Sequence, residues 1–398
     1  MKWTSAISES LSLDKAVKEC AAGVISELGS DTPDLVMAFV SSSHYDNYDK
    51  VPKLLTDNVK VKHLIGCSGG GVIGGGREVE NRPGFALTAA SLPGVEITPF
   101  HVDDGALPSL DDSPSAWEDL VQVSVSVNPQ FVLLPEPFTI QADNLLMGLD
   151  YAFTESVKIG GLASGGQRPG ANALYMEQEV YRSGAVGVAM HGNIRVETIV
   201  AQGCRPIGGP LVVTRCQGNI VYELDSGKSM DVLQEMFEAA SDEDRRLMTS
   251  ALHLGVVMDP LKEAFQPGDF LIRNVMGLHK ETGALIVGEM LREGQVVQFH
   301  VRDNQAAKED LEAMIDRYLR ENGPEKACGA LLFSCVGRGE HLFGRPNHDT
   351  NIFQSKVSDV PLAGFFCNGE IGPVGGTTFL HGFTSSFAIF TPAHDSVG

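Results

Sequence analysis

The sequence predicts a mixed α/β protein with two lobes, built from repeated strand–helix–strand–hairpin units whose sheets are mixed. The first reason is length, because 398 residues are more than one hydrophobic core usually carries. The second is pattern, because short runs typical of buried strands alternate with helical stretches. The third is the placement of the 44 glycines, which cluster after predicted strands instead of forming a flexible linker.

The first copy of the unit follows a helix. Residues 12–29 carry apolar side chains at helical spacing and stop at Gly29, so residues 1–30 are predicted as an N-terminal helix. The elements expected next are a buried strand at 34–40 entering a polar loop, a helix at 51–56, a buried strand at 63–67, a glycine-rich loop at 68–76, and two strands at 84–91 and 95–102 joined at Pro93-Gly94.

The same order returns twice. The second copy comprises a strand at 131–134, a helix at 142–153, a strand entering a glycine loop at 158–166, and a hairpin of 184–191 with 194–202 about Gly192-Asn193. The third comprises a strand at 329–335, a short helix or loop at 349–357, a strand entering a loop at 361–370, and strand material at 379–390. In each copy about thirty residues separate the first strand from the loop, enough for a parallel strand–helix–strand crossover.

Different material lies between the second and third copies. Residues 229–251 have a helical, acidic pattern, residues 268–302 resemble a strand meander, and residues 304–319 form an amphipathic helical pattern. We therefore expect the boundary between the lobes near residues 218–228, which divides the chain into 31–222 and 223–392 after the N-terminal helix.

Charge and hydropathy exclude several classes of function. The formal net charge is −21 and the pI is near 4.9, so the surface repels phosphate backbones and anionic lipid, and nucleic acid is not expected as a partner. No apolar run reaches the roughly 18–20 residues of a membrane span, and the N-terminus lacks the pattern of a secretory signal. A cytoplasmic location is predicted.

The seven cysteines are dispersed and form no CxxC pair, so we predict no metal site and no cofactor. Their apolar neighbours are typical of reduced, mostly buried thiols.

The glycine-rich segments are candidate ligand-binding loops, because backbone amides without a neighbouring Cβ approach a bound group closely. The segment GCSGGGVIGGG (66–76) fits neither phosphate-binding fingerprint, since no lysine with serine or threonine closes it and another strand, not a helix, is expected after it. The alternative is that the glycines only bend strands. The candidate ligand-binding residues in the first two copies are Cys67, Ser68, Gly69, Gly70, Ser164 and Gly165.

Cys67 also permits an enzymatic alternative, because a thiol beside free amides at a strand end can act as a nucleophile. His63 lies four residues upstream on the same strand face, about 13 Å away, and cannot pair with it directly. A base would have to come from His44, His300, His341 or His381, which the sequence does not place. A cysteine-dependent hydrolase or transferase using Cys67 or Cys367 therefore stays open as an alternative.

The C-terminal half supplies charged candidates. Cys367, Asn368 and Glu370 follow a buried strand, and Arg302 ends another. The planar guanidinium of Arg302 suits a carboxylate, and Glu370 would accept the ammonium group of an amino acid. Asp303 is expected to cap the following helix.

These segments resemble the FIST family, named for F-box and intracellular signal transduction proteins. The segments that carry the resemblance are IGCSGGGVIG (65–74), KIGGLASGG (158–166), GAVGVAMHG (184–192), VVQFHVRD (296–303), GALLFSCVGRG (329–339) and GFFCNGEIGPVGG (364–376). The resemblance implies a FIST N-terminal domain at 31–222, a FIST C-terminal domain at 223–392, and a sensory module for small ligands, with amino acids among those proposed. It supplies no catalytic residues.

Together these observations predict an intracellular protein that binds a small molecule, such as an amino acid, between the glycine loops and the Arg302/Glu370 end. The chain offers no room for an F-box or an output domain, so we expect it to signal through a separate protein partner. The alternatives are the cysteine-dependent enzyme and a non-catalytic interaction scaffold.

Overall fold

The computed structural model describes residues 1–262, 264–265, 268–323, 327–357 and 359–393. The chain divides into two compact units. The larger unit contains Met1–Val200, Leu311–Leu380 and the residues from Thr384 onward, and the smaller contains Ala201–Asp310 and His381–Phe383.

The elements are as follows in chain order. The N-terminal half contains β1 (Lys2–Ser8), α1 (Leu13–Leu28), β2 (Leu35–Ser41), α2 (Val51–Asn58), β3 (His63–Gly69), β4 (Gly71–Gly74), β5 (Arg77–Glu80), β6 (Phe85–Ser91), β7 (Val95–Val102), α3 (Pro114–Val121), β8 (Gln130–Pro135), α4 (Ala142–Ala152), β9 (Lys158–Gly161), β10 (Leu174–Met176), β11 (Glu179–Tyr181), β12 (Ala185–Gly192) and β13 (Arg195–Ala201). The middle contains β14 (Cys204–Gln217), β15 (Ile220–Leu224), β16 (Gly227–Lys228), α5 (Ser229–Ala239), α6 (Asp242–Ala251), β17 (Leu252–Val257), β18 (Phe270–Leu278), β19 (Leu285–Val287), β20 (Val296–Arg302) and α7 (Asn304–Asn322). The C-terminal part contains β21 (Gly329–Cys335), α8 (Gly339–Phe343), α9 (His348–Val357), β22 (Leu362–Cys367), β23 (Glu370–Val374), β24 (Thr377–His381) and β25 (Ser385–Thr391).

Three six-stranded sheets of the larger unit share one strand order, which confirms the predicted internal repeat and the mixed α/β class. The orders are β1-β6-β2-β3-β10-β11, β7-β12-β8-β9-β23-β24 and β13-β25-β21-β22-β4-β5. In each sheet the two central strands are parallel and flank at least one helix in the sequence, so the predicted crossovers are confirmed. The last two strands of each sheet come from a different copy, so the three copies exchange their hairpins in a cycle.

The inner faces of the three sheets share one core. Alternation along β2 sends Met37 and Phe39 into this core, where residues from β8 and β21 join them, while Val36 and Ala38 pack against the helices α1 and α2. The predicted helix boundaries have local causes. The Ser12 side chain accepts a hydrogen bond from Lys15 N at the start of α1, and Gly29 ends the helix with a φ of 73°.

One prediction about strand pairing and one about a loop are wrong. The strands β12 and β13 do not form a hairpin, because β7 and β8 occupy both edges of β12 while β13 joins another sheet beside β25. The strand β12 is the last strand of the second copy and β13 belongs to the sheet of the third copy, so Gly192-Asn193 connects two sheets. The glycine-rich segment 68–76 is also mostly strand, since β3 extends to Gly69 and β4 begins at Gly71. The expectation that a strand follows these glycines is confirmed.

The N-terminal 30 residues contain the predicted helix and, in addition, β1, which pairs with β6 along its whole length. Its residues (KWTSAIS) do not alternate strictly between polar and apolar, which explains why the sequence pattern does not indicate a strand here.

The smaller unit is a seven-stranded sheet in the order β14-β20-β17-β18-β19-β15-β16, with α5 and α6 packed on it. The helical segment predicted at 229–251 and the strands predicted within 268–302 are confirmed, but these strands are not a simple meander, because β20 pairs with β14 and β17 and not with β19. Within the described residues, every helix is too short or too polar to cross a lipid bilayer.

Candidate functional site

The three glycine-marked strand ends of the larger unit meet in a ring of hydrogen bonds. Gly66, Gly160 and Gly364 occupy equivalent places, each opposite a residue of the parallel neighbouring strand. A Cβ at these glycines would lie 2.1, 1.9 and 1.8 Å from the neighbour's carbonyl oxygen, so only glycine fits there.

The ring consists of three equivalent backbone hydrogen bonds. In each, the N–H of the residue four positions after one glycine donates to the carbonyl of the residue two positions after the glycine of another copy. Ser164 N donates to Ser68 O at 3.1 Å, Asn368 N to Leu162 O at 3.2 Å, and Gly70 N to Phe366 O at 3.3 Å. The three segments therefore meet with approximate threefold symmetry at the carboxyl ends of the parallel strands, which is where ligands bind in many α/β folds.

Ser164 links all three segments of the ring. Its Oγ accepts a hydrogen bond from Gly70 N at 2.7 Å and donates to the carbonyl of Phe366. Gly165 follows with a φ of 93° and is exposed, as is Asn368. The ring thus has a buried floor and opens to solvent at Gly165 and Asn368.

The third copy differs from the other two in its buried polar side chains. Glu370 occupies the position that Val72 and Leu174 occupy in the other copies. Each of the three is the strand partner of the residue that directly follows one of the three equivalent glycines. All three side chains are fully buried. Likewise the facing pair Ser334–Ser385 replaces the apolar pairs Val40–Phe85 and Pro135–Ala185.

Glu370 is an acid held in the interior. Its Oε2 accepts hydrogen bonds from the Thr384 backbone N at 3.0 Å and from Thr384 Oγ1 at 2.7 Å. Cys367 Sγ lies 3.6 Å from Oε1. Burial raises the pKa of Glu370 to about 7, although these hydrogen bonds and the nearby Arg338 oppose the shift. At neutral pH its carboxyl group therefore exchanges between charged and neutral forms.

A buried ion pair lies beside Glu370. Arg338 Nε donates to Asp349 Oδ2 at 2.8 Å and Nη2 to Oδ1 at 3.0 Å, and neither side chain is more than 3% exposed. Asp349 also accepts from Ser385 Oγ and lies 2.9 Å from His348 Nδ1. Burial opposes ionisation, but Arg338 and these hydrogen bonds hold the pKa of Asp349 well below its usual range.

Two atoms of this region have no hydrogen-bond partner among the described residues, Arg338 Nη1 and Glu78 Oε2. The other oxygen of Glu78 accepts from Thr350 N at 2.8 Å and from Thr350 Oγ1 at 2.9 Å. Burial, and secondarily Asp349, raise the pKa of Glu78 to about 7. An unpaired buried donor costs about 1–3 kcal/mol, so such groups are usually paired with a water or a ligand.

The cysteine environment opposes the enzymatic alternative. Cys67 and Cys367 are fully buried, and burial raises the pKa of both thiols well above the ordinary value. A nucleophilic thiol needs the opposite shift. Five of the seven cysteines are buried, which confirms the prediction of mostly buried thiols.

The predicted binding residues fall in both units. The larger unit brings together Cys67, Ser68, Gly69, Gly70, Ser164, Gly165, Cys367, Asn368 and Glu370 in and below the ring. Arg302 ends β20 in the smaller unit, where its guanidinium lies 5.3 Å from the centroid of the Phe383 ring. Asp303 caps α7 as predicted, accepting 2.9 Å hydrogen bonds from Gln305 N and Ala306 N.

Sequence reasoning missed Arg338, Asp349 and Glu78. Arg338 lies in the segment GALLFSCVGRG, but nothing in the sequence marks it as buried. A comparison of equivalent positions in the three copies directs attention to this region. Such a comparison requires the strand register, which the sequence alone does not provide. In the part of the chain that the structure describes, no three His, Cys, Asp or Glu side chains gather to hold a metal ion.

Comparisons with known proteins agree with the sequence motifs. The FIST N domain model matches residues 34–226 and the FIST C domain model matches residues 229–373. An uncharacterized protein of Mycobacterium tuberculosis is 36% identical over 381 residues, covering 94% of this chain and 96% of that protein. Human F-box only protein 22 is 40% identical over 62 residues, 15% of each chain.

Among solved structures, a cyanuric acid hydrolase from A. caulinodans covers 98% of this chain and 99% of its own, with 8% identity and a TM-score of 0.35. The two family models together cover nearly the whole chain. This chain belongs to the FIST family.

Proposed function

We propose that the chain binds a small polar molecule at the ring of strand ends, with the third copy supplying the polar contacts. FIST domains are associated with small-ligand sensing and occur in F-box proteins. The proposal places the ligand against Glu370, beneath the amides of Gly70 and Asn368.

The observation that carries the proposal is the contrast at equivalent positions. An acid occupies a fully buried place where the other two copies have valine and leucine. Burying an ionisable group destabilises a fold, and a buried ion pair is often no more stabilising than apolar packing. An acid that the third copy alone carries at this equivalent position therefore favours a role in binding.

Amino acids are the first ligand class to test. Among the described residues, Glu370 Oε1 is contacted by the weak donor Cys367 Sγ, and it would accept a hydrogen bond from an ammonium or amide group. Arg302 remains the predicted contact for a ligand carboxylate, and this prediction is tested separately.

The ligand would act on a separate protein partner, and we propose this from the kinship with F-box proteins. Of the two alternatives, the buried thiols disfavour the cysteine-dependent enzyme. The interaction scaffold differs from our proposal in one testable way, because a scaffold binds its partner without responding to any small molecule.

The experiment is a thermal-shift screen of the full chain against the twenty amino acids and a set of small neutral amides. We expect at least one compound to raise the melting temperature of the wild type, and the gain to be lost in Glu370→Gln. Glu321→Gln is the matched control, because Glu321 is exposed and pairs with the exposed Arg317 on the surface of α7.

The outcome that contradicts the proposal is equal stabilisation of Glu370→Gln and wild type, which would place the ligand elsewhere. Arg302→Ala, screened in parallel, tests the predicted carboxylate contact: selective loss of stabilisation by carboxylate-bearing compounds supports it, and unchanged stabilisation contradicts it.

A further inference from the structure

Arg338 offers a hydrogen-bond donor that nothing in the described residues uses. Its side chain is fully buried, Nε and Nη2 are taken up by Asp349, and Nη1 has no acceptor. The guanidinium also packs against an aromatic ring, because its carbon Cζ lies 5.3 Å from the centroid of the Phe343 ring. The Nη1 donor is therefore fixed in direction before any ligand arrives.

The charges around Arg338 limit what can bind it. Asp349 already neutralises the guanidinium. Two further acids, Glu370 and Glu78, are buried in the same region, and both interact electrostatically with this ion pair. A ligand carboxylate at Nη1 would be one more anion in a region with a single arginine, and like charges repel strongly where water is excluded.

We propose that Arg338 Nη1 donates a hydrogen bond to a neutral oxygen of the ligand, a carbonyl or an amide, so that the inner end of the ligand is uncharged. This inference rests on the proposed binding function and deepens it by naming the ligand chemistry. Glu370, beside Arg338, supplies an acceptor for an N–H of the same group. A primary amide carries both the carbonyl oxygen and the N–H groups that these two side chains would bind, so it is the ligand class to test.

The test is a titration of the full chain with two matched probes, acetamide and acetate, at constant ionic strength. The chain carries ¹⁵N-labelled arginine, and the side-chain signals of Arg338 are followed by NMR. They are assigned by their loss in Arg338→Lys, which keeps the positive charge beside Asp349 but removes Nη1. Arg317→Lys, at an exposed pair, is the control for assignment.

We expect acetamide to shift the Arg338 signals saturably and acetate to leave them unchanged. Binding of acetate in preference to acetamide would overturn the inference in favour of an anion site. Signals that neither probe moves would also overturn it, because Nη1 would then be occupied by a permanent water. If Arg338→Lys fails to fold, the wild-type titration still decides, with assignment by mutating the other arginines.

The two proposals fail in different ways. If a compound stabilises the wild type through Glu370 while the Arg338 signals stay silent, the inference about Arg338 is wrong and the binding function stands. If acetamide shifts the Arg338 signals equally in the wild type and in Glu370→Gln, and no compound stabilises the wild type through Glu370, the donor site exists and the proposed contact with Glu370 is wrong.

Discussion

The first two copies of the repeat and the third have the same backbone and different interiors. Gly66, Gly160 and Gly364 make the same close approach to a neighbouring strand, and each copy gives one N–H and one carbonyl to the ring. At two sets of equivalent buried positions, however, the first two copies are apolar and the third carries Glu370 and the pair Ser334–Ser385. Elsewhere around the ring the first two copies also bury polar side chains, among them Ser68, Ser164 and Glu136. A buried ionisable group is often no more stabilising than apolar packing, so we propose that this difference marks the binding site.

The largest effect is expected at the glycines that the three copies share. Gly160→Ala and Gly364→Ala should each destabilise the fold by about 5 kcal/mol or more, because the new Cβ would overlap a backbone carbonyl that cannot move independently. Chemical denaturation measures the loss. Gly105→Ala is the control, since nothing lies within 4 Å of its added Cβ. Mild effects in one copy only would show that the glycines are not equivalent.

The ion pair of the third copy comes next. Arg338→Ala should cost about 3–5 kcal/mol, because it leaves Asp349 buried and uncompensated. The urea midpoint reports this loss. The matched variant Arg317→Ala removes an exposed partner of Glu321 and should cost no more than about 0.5 kcal/mol. Equal effects would mean that the Arg338–Asp349 pair is not buried as described.

Glu370 should make the stability of the fold depend on pH. Its pKa in the folded chain is about 7, above its ordinary value of 4.5. The folded state therefore holds the proton more tightly, so the stability that Glu370 contributes is fully present below pH 4.5 and is lost as the pH rises through 7.

Relative to the wild type, Glu370→Gln should thus gain on the order of 3 kcal/mol in unfolding free energy between pH 4.5 and pH 8. The measurement is denaturation of both proteins at several pH values, and the difference between them removes the contribution of every other group. A difference that does not change with pH would contradict the burial of a titrating Glu370.

The smallest effect is expected at the cysteines. Limiting iodoacetamide at neutral pH should modify the partly exposed Cys216 and Cys328 and leave Cys67 and Cys367 intact, because burial raises the pKa of the latter two thiols. Peptide mass spectrometry distinguishes the sites. Rapid alkylation of Cys67 or Cys367 would restore the cysteine-dependent enzyme as the leading alternative.

The sequence was sufficient for the repeat because local patterns encode it. Buried strands such as 34–40 and the glycines that follow them are visible without any structure, and so is the cap that Asp303 provides. Pairing was less predictable. Neighbouring strands such as β12 and β13 look like a hairpin in sequence, but they belong to different sheets because the copies exchange strands.

The candidate site was predictable only in part, for a related reason. Ser164 and Glu370 follow strands and could be selected by position, whereas Arg338 and Asp349 look like surface residues of a polar segment. Their burial depends on contacts between β21, α9 and β25, which lie far apart in sequence. Equivalent positions in the three copies become visible only from the strand register.

The most direct test of the claim that the third copy holds the binding site is an experimental electron-density map of the protein as purified or after soaking with a stabilising compound. We predict density for a small molecule within hydrogen-bond distance of Glu370 or Arg338 Nη1. Density only in the cavity of about 600 Å³ lined by Asn128, Gln130 and Arg195 would contradict the claim.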